Sequence, residues 1–261
     1  MTSMSFMTIL SFISESTGFC AILETTAGLS DKVDMEPVDA PNLIEILDAR
    51  AVQARHRPKR QRTRLSLLAA TAHELEEKGY EALTIDGIVR RAGLARGTFY
   101  LYFQNRAEAA TAVRRSFTAT LRKFRPRGAA RLSRWEAIYR MNRFYVAFYA
   151  RNARLLAGTG ALFHERPDLM RSRDAINHRW ALILLRDIRR REPDSWLQQV
   201  DETQTLLALR FVILMTDEAL RLVYIDPPPR ISALSCSEVQ VTETLTVLWY
   251  NCLYADIPRQ A

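Results

Sequence analysis

Apolar positions recur through most of this chain at intervals of three and four, and no stretch alternates apolar with polar as a half-buried strand would. The clearest run is short. Ile85, Ile88, Val89 and Ala92 make the buried stripe of a helix opened by Thr84, whose hydroxyl can accept from the free amides of the first turn. Asp86 sits favourably at the positive end of its dipole, and Gly93 ends it by taking the positive φ that leaves a helix. A second helix is predicted from about Arg96 to Phe103, too short to persist without packing. At about 100° per residue Phe99, Tyr102 and Phe103 fall on one side. Gly97, Tyr100, Leu101 and Gln104 then face outward, with Arg96 and Thr98 on the flanks. Asn105 and Glu108 form an Asn-led capping box that starts the next helix, and Leu65, Leu68, Ala69, Ala72 and Leu75 mark an earlier one ending near Gly79.

One face of the second short helix docks and the other is free, with a chemistry that suits a major groove. Arg96 can read a guanine edge or grip phosphate, Thr98 can reach a thymine methyl or a phosphate, and Tyr100 can donate to a phosphate oxygen. Gly97 lets the helix approach DNA closely, offsetting a propensity cost of about 1 kcal/mol. Tyr102 reads mainly as core, with a hydroxyl in reach of a phosphate at the rim. Arg106 stands at the first position of a helix, where a cation opposes the dipole unless a phosphate lies nearby. Arg90 and Arg91 suit a helix carboxyl end with or without DNA, and Thr84 is a cap that can also contact the backbone of DNA.

With these residues in view, the stretch resembles the amino-terminal helix-turn-helix of the TetR family of transcriptional regulators. Thr84, Ile88, Ala92-Gly93, Gly97-Thr98-Phe99-Tyr100-Leu101-Tyr102-Phe103 and Arg106 stand in register with the family's pattern, and the resemblance runs over residues about 57–108. Gly87 within the second helix, Ala95 in place of a hydroxyl cap and Arg106 in place of lysine depart from it. The resemblance implies an all-α chain, with a three-helix DNA-binding domain at residues 55–108 and a helical effector-binding and dimerisation domain at 109–261. It further implies a homodimer on a palindromic operator, most often a repressor, released by a small-molecule effector. DNA contacts are expected at Thr84, Arg96, Gly97, Thr98, Tyr100, Tyr102, Arg106 and Arg62.

Charge sharpens this picture. Residues 55–125 hold 16 Lys and Arg against 6 Asp and Glu, whereas residues 1–54 hold 2 against 8 and residues 126–261 hold 19 against 15. The excess lies where the motif lies, as for a nucleic-acid-binding module. Arg55, Arg57, Lys59, Arg60, Arg62 and Arg64 form the densest run, either a flexible arm for phosphates or the minor groove or a solvated linker.

Residues 1–54 are an amino-terminal extension outside the resemblance. Met1–Leu29 is apolar but interrupted by Glu15 and Glu24 and preceded by no basic residue, which disfavours a signal peptide or a membrane span. A loosely ordered tail and a natural start at Met35 are the simplest accounts, and about Asn42 to Gln53 is compatible with a short helix packing on the same protein. Three cysteines, Cys20, Cys236 and Cys252, and four dispersed histidines show no metal-ligand spacing, and Pro167 separates His164 from Asp168. No metal, cofactor or membrane partner is expected, and the cytoplasm is the default compartment.

Further helices are predicted at Arg134–Asn152, about Asp194–Ile225 and Ser235–Tyr254. The first carries two apolar stripes, Trp135, Ile138, Tyr139, Asn142 and Val146 on one side and Met141, Phe144 and Phe148 on another. By the resemblance the last two helices form the dimer, with Leu206, Ile213, Leu220, Val241, Leu245, Leu248 and Cys252 in the seam. Arg210 and Asp217 pair reciprocally across the two-fold, or Asp217 pairs with Arg221 on its own helix. An effector pocket is expected among Tyr139, Asn142, Phe148, Phe163, Trp180 and Ile183, which also read as plain core. No nucleophile-base pair, paired carboxylates or phosphate-cradling loop is visible, so an enzyme is not expected. A sequence-tolerant, nucleoid-like DNA binder is the alternative function.

Overall fold

The structure is a computed structural model, and it describes residues 40–128, 132–191, 197 and 200–254. The described residues belong to one compact unit that lies within residues 38–261. The expectations for Met1–Leu29, for a start at Met35 and for Cys20 lie outside the described residues.

Every regular element among the described residues is helical, so the chain is all-α. Helices α1 (Leu43–Gln53), α2 (Lys59–Lys78), α3 (Ile85–Ala92) and α4 (Arg96–Tyr100) build the amino-terminal module, and α5 (Arg106–Phe124) leads out of it. Then come α6 (Arg134–Arg151), α7 (Ala153–Gly158), α8 (Leu162–Glu165), α9 (Asp168–Arg191), α10 (Glu202–Leu220), α11 (Pro229–Ser232) and α12 (Glu238–Tyr254). A wide π turn, Arg221–Ile225, prolongs α10.

Helix α2 explains why the module packs as it does. Leu68, Ala69, Ala72 and Leu75 are buried as the spacing predicts, but so are Leu67, Ala70 and Thr71 on its other side. That second side is covered by α1, which inserts Leu43, Ile44 and Leu47 into the same core as Phe99 and Phe103. Asn42 caps α1, accepting from the Ile44 and Glu45 amides at 2.8 and 3.2 Å. Around that cap the chain ends of α1 and α6 are tied reciprocally. Leu43 N donates to Asn152 Oδ1 at 2.8 Å, and Asn152 Nδ2 donates to the Pro41 carbonyl at 3.0 Å. Arg151 donates to the Ala40 carbonyl at 2.9 Å, and Asn42 Nδ2 donates to the Arg151 carbonyl at 3.0 Å.

The basic run is not a flexible arm. Ala54–His56 is a 3₁₀ turn and Lys59 to Arg64 are the first turns of α2, because Pro58, with its fixed φ, starts that helix well before its apolar stripe.

The connecting helix α5 carries the module into the carboxyl-terminal half, where its Phe117 packs on Phe148 of α6 at 4.8 Å between ring centroids. Helix α6 is buried on two sides, as its stripes predict. Phe144 and Phe148 join the core of the amino-terminal module, while Val146 packs with Leu220, Val241 and Leu245. Its start is closed by Ser133 and Glu136 as a capping box. Helix α10 begins at Glu202 rather than near Asp194, because the Asp201 carboxylate accepts from the Thr203 and Gln204 amides and fixes the end there. At the Pro167 break α8 and α9 are separate helices, as predicted.

Two seam expectations change. Leu220, Val241 and Leu245 are buried within the chain against Val146, whereas the exposed apolar stripe of α10 is Leu207, Phe211 and Leu214. The register differs by one residue because α9 packs on the neighbouring side of α10. That packing also gives Asp217 and Arg210 partners within the chain other than Arg221 and each other. Arg210 pairs with Asp174, Asp217 takes Arg173 at 3.0 Å and Asn177 Nδ2 at 2.9 Å, and Arg221 pairs with Glu218 and Asp226. Every cross-helix partner comes from α9.

Candidate nucleic-acid interface

Thr84 opens α3 by accepting from the Gly87 amide at 3.0 Å, and Gly93, at φ 65°, closes it in the left-handed region. The Leu94 amide then reaches back to the Val89 carbonyl at 2.9 Å, so three residues separate the end of one helix from the start of the next. Ala95 supplies no side-chain cap to α4. That helix is held by packing instead. Phe99 and Phe103 are buried, their centroids 5.7 Å apart, and Tyr102 is half-buried against the same core. The opposite face is open: Arg96, Gly97, Tyr100, Leu101 and Gln104 are exposed, and Thr98 is half-buried at its edge. A Cβ added at Gly97 would meet nothing within 4 Å, so its lack of side chain serves no internal contact.

The open face is not electrostatically idle. Arg96 Nη1 donates to both Asp86 oxygens, at 2.7 and 2.6 Å, and Nη2 lies 3.5 Å from the Tyr100 hydroxyl. The Asp86 hydrogen bonds raise the guanidinium's pKa further above its usual value, so it remains charged. Being exposed, the pair costs little to exchange for another acceptor such as a phosphate or a guanine edge. Asp86, read from sequence only as a dipole partner, is also the group that aims Arg96.

Three of the predicted contact residues are placed differently. Arg106 turns back into the protein, with Nη1 donating to the Leu83, Glu81 and Tyr80 carbonyls at 2.9, 3.1 and 3.4 Å and its guanidinium 4.9 Å from the Tyr80 ring centroid. It fastens the α2–α3 connection, because the Glu81 and Leu83 carbonyls at that turn need donors. Arg62 donates to the Arg55 carbonyl at 3.1 Å and belongs to the first turn of α2. The Thr84 hydroxyl is engaged as the cap. With Tyr102 half-buried against the core, Arg96, Gly97, Thr98 and Tyr100 are the group the fold brings together on one surface. Leu101, 73% exposed on that surface, is an apolar candidate that the inward-facing aromatic pattern obscured.

Beneath this surface lies a buried charge. Glu74 on α2, its side chain 4% exposed, accepts from Lys78 at 2.7 Å and from Arg91 Nε at 2.9 Å, and Arg91 also pairs with Glu77. Burial works to raise the Glu74 carboxyl, and the hydrogen bonds from Lys78 and Arg91 outweigh it, holding the group below its ordinary value. This cluster accounts for Gly87, since a Cβ there would stand 2.6 Å from Glu74 Oε2. What looked from sequence like a loosened helix is the space that the carboxylate fills. Arg91 is therefore committed to this cluster.

The predicted pocket residues do not gather. Asn142 donates to Thr246 on α12 at 3.2 Å, Phe148 is fully buried between Phe117 and Phe144, and Trp180 carries Arg125 at 3.9 Å from its ring centroid. Ile183 is exposed. Phe163 is half-buried, with Arg114 against its ring.

Residues 67–113 match the family model for bacterial regulatory proteins of the tetR family, which spans α2 to the first turns of α5 and takes in the whole surface just described. No curated protein matches the chain. Among solved structures, the fold is similar to that of a TetR-like transcriptional regulator from Rhodococcus sp. RHA1, at 14% identity and a TM-score of 0.48, over 75% of this chain and 98% of that one. No helix among the described residues is long and apolar enough to cross a membrane. The match thus lies in the helix-turn-helix module, residues 67–113, which is of the kind found in bacterial regulatory proteins of the tetR family.

Proposed function

We propose that the chain is a non-enzymatic repressor which binds a palindromic operator as a homodimer and leaves it when a small molecule binds. The observation that carries the DNA half is the open face of α4. A helix docked by Phe99 and Phe103 presents Arg96, Gly97, Thr98 and Tyr100 together, with no bulk at Gly97 to hold it off a groove. Arg96 would exchange Asp86 for a base edge, Thr98 and Tyr100 would hold flanking phosphates, and Leu101 would meet a thymine methyl. The dimer reading is supported by the exposed apolar stripe of α10, Leu207, Phe211 and Leu214, beside exposed Leu248 and Cys252 on α12. Two α4 helices related by a two-fold would enter successive major grooves about 34 to 36 Å apart.

The test is a footprint on the DNA flanking the chain's own gene, followed by binding of the protected fragment and of base-substituted versions. Arg96→Ala is expected to lose about tenfold or more in preference at one base pair of each half-site. A loss of equal size on every sequence would make Arg96 a phosphate contact, and salt-steep binding of all sequences alike would favour a sequence-tolerant, nucleoid-like binder instead.

A further inference from the structure

Arg114 on α5 lies against two aromatic rings. Its guanidinium carbon lies 5.3 Å from the Phe117 ring centroid and 5.1 Å from that of Phe163 on α8. Its one hydrogen bond among the described residues is long, Nη1 to Thr159 Oγ1 at 3.5 Å, and that hydroxyl already donates to the Leu156 carbonyl at 2.8 Å. No carboxylate among the described residues pairs with it. Three arginines later in the chain are matched by carboxylates: Arg166 with Asp168, Arg173 with Asp217, Arg210 with Asp174. Asp217, the acid whose field reaches Arg114, is held by Arg173 and Asn177.

A guanidinium carries five N–H donors in a planar fork, and a desolvated cation is ordinarily paired. Burial pushes this one down to about 10, which leaves it charged at neutral pH with most of its donors unused. Tyr149 of α6 stands edge-on to Phe117 at 5.9 Å, and its hydroxyl makes no hydrogen bond among the described residues. Burial raises that phenol, so it is a proton donor at neutral pH. Arg114, Tyr149 and Phe163 are each half-buried, so the cluster is not sealed.

We propose that Arg114, with Tyr149, Phe117 and Phe163 around it, is the recognition site for a small organic carboxylate with an apolar body. The fork takes both carboxylate oxygens, Tyr149 donates to one of them, and the rings cover the rest of the molecule. A single cation among aromatic walls suits a monoanion with an apolar body. A phosphate dianion would call for further donors.

The site bears on both supports of the DNA-binding module. Arg114 belongs to α5, the helix that leaves the module, and Thr159 follows Gly158, whose carbonyl accepts from the Tyr80 amide at 2.7 Å. A carboxylate drawn onto Arg114 replaces the Thr159 contact and so acts on the corner that touches α2. Regulation needs only that the ligand favour one arrangement of that corner. This regulatory half rests on the repressor reading above, whereas the binding half does not.

The experiment uses the full chain with phenylacetate and hexanoate as probes and phenylacetamide as the neutral control, read by calorimetric titration and thermal unfolding. Both carboxylates are expected to bind and raise Tm, and phenylacetamide to bind at least tenfold more weakly. Arg114→Gln should cost carboxylate affinity tenfold or more, Arg114→Lys less, and Tyr149→Phe a few-fold. The proposal is overturned if neither carboxylate binds at millimolar concentration, if acid and amide bind alike, or if Arg114→Gln binds as wild type does. Should Arg114→Gln lack the wild-type helical circular dichroism, the acid-amide difference and Tyr149→Phe decide. Added to the protein on its footprinted DNA, the carboxylates should weaken DNA binding in wild type and not in Arg114→Gln. Carboxylate binding without that effect overturns the regulatory half alone, and absence of DNA binding before any carboxylate is added overturns the repressor reading instead.

Discussion

Between Lys59 and Glu108 no buried side-chain polar atom among the described residues lacks a partner, whereas the carboxyl-terminal half leaves several without one. In the module Thr84 and Asn105 close helices, Arg106 satisfies three carbonyls and Glu74 holds two cations. Beyond it, four buried side-chain polar atoms among the described residues lack a partner: Thr120 Oγ1, Trp135 Nε1, His178 Nδ1 and Tyr224 Oη. The same half carries the unmatched Arg114 and the bare stripe Leu207, Phe211 and Leu214. A short-helix module with a small core must settle its internal bonds to fold at all, and what it exposes is a reading face. The larger helical half has apolar contact to spare and can leave groups open for a ligand or a second copy.

The sharpest way to break this contrast is at the seam between the halves. A Cβ at Gly158 would lie 2.0 Å from the Leu75 carbonyl oxygen and 2.9 Å from its carbon, both backbone atoms that cannot swing aside. Gly158→Ala therefore forces α7 off α2 and breaks the Tyr80 to Gly158 hydrogen bond. The expected loss is about 3 kcal/mol, a Tm drop of roughly 6 to 12 °C. An alanine variant that melts within a degree of wild type would mean the halves do not meet there.

Next comes the bare stripe. Phe211 is 60% exposed and lies midway along it. If a second copy covers it, Phe211→Ser should weaken the dimer by about 2 kcal/mol, some thirtyfold in dissociation constant, with little change in the monomer's fold. Sedimentation across a range of concentrations measures this. A wild-type chain that remains monomeric throughout would show that the carboxyl-terminal half does not leave this face open for a second copy.

How much was legible before any coordinates follows the same division. The α3–α4 unit could be read closely, save that α4 ends at Tyr100 rather than at Phe103, because Thr84, Gly93 and the Phe99, Tyr102, Phe103 spacing act through local rules of capping, turn and period. The inward turn of Arg106 was not legible, because its partners are carbonyls of a loop more than twenty residues earlier, which no local rule reaches. That the basic run begins a helix, rather than forming an arm or a linker, was not legible since its periodicity is polar all round, and α1, which covers the far side of α2, lies outside the recognised pattern. In the carboxyl-terminal half the helices themselves were predictable from apolar spacing. Which stripe of α10 faced α9 was not, because Leu206 and Leu207 are equally apolar and only Arg173, Asp174 and Asn177 on a distant helix decide between them.

The smallest effect tests whether the module's completeness is electrostatic or merely steric. Glu74→Gln keeps the volume that Gly87 accommodates and can still accept a hydrogen bond, but it removes the charge shared by Lys78 and Arg91. Both cations reach solvent, so the loss at neutral pH should be modest, about 1 to 2 kcal/mol. The Glu74 carboxyl is held below its ordinary value of 4.5 in the folded chain, so as pH falls the unfolded chain takes up the proton first. The stabilisation is thus fully present above about 4.5 and is lost as pH drops through the lower, folded-state value. Denaturant unfolding of both proteins at pH 7 and at steps below 4.5 should accordingly show their difference narrowing with acid. A difference that stays constant down to pH 3 would mean that Glu74 serves the module by its shape, with Lys78 and Arg91 contributing nothing through charge.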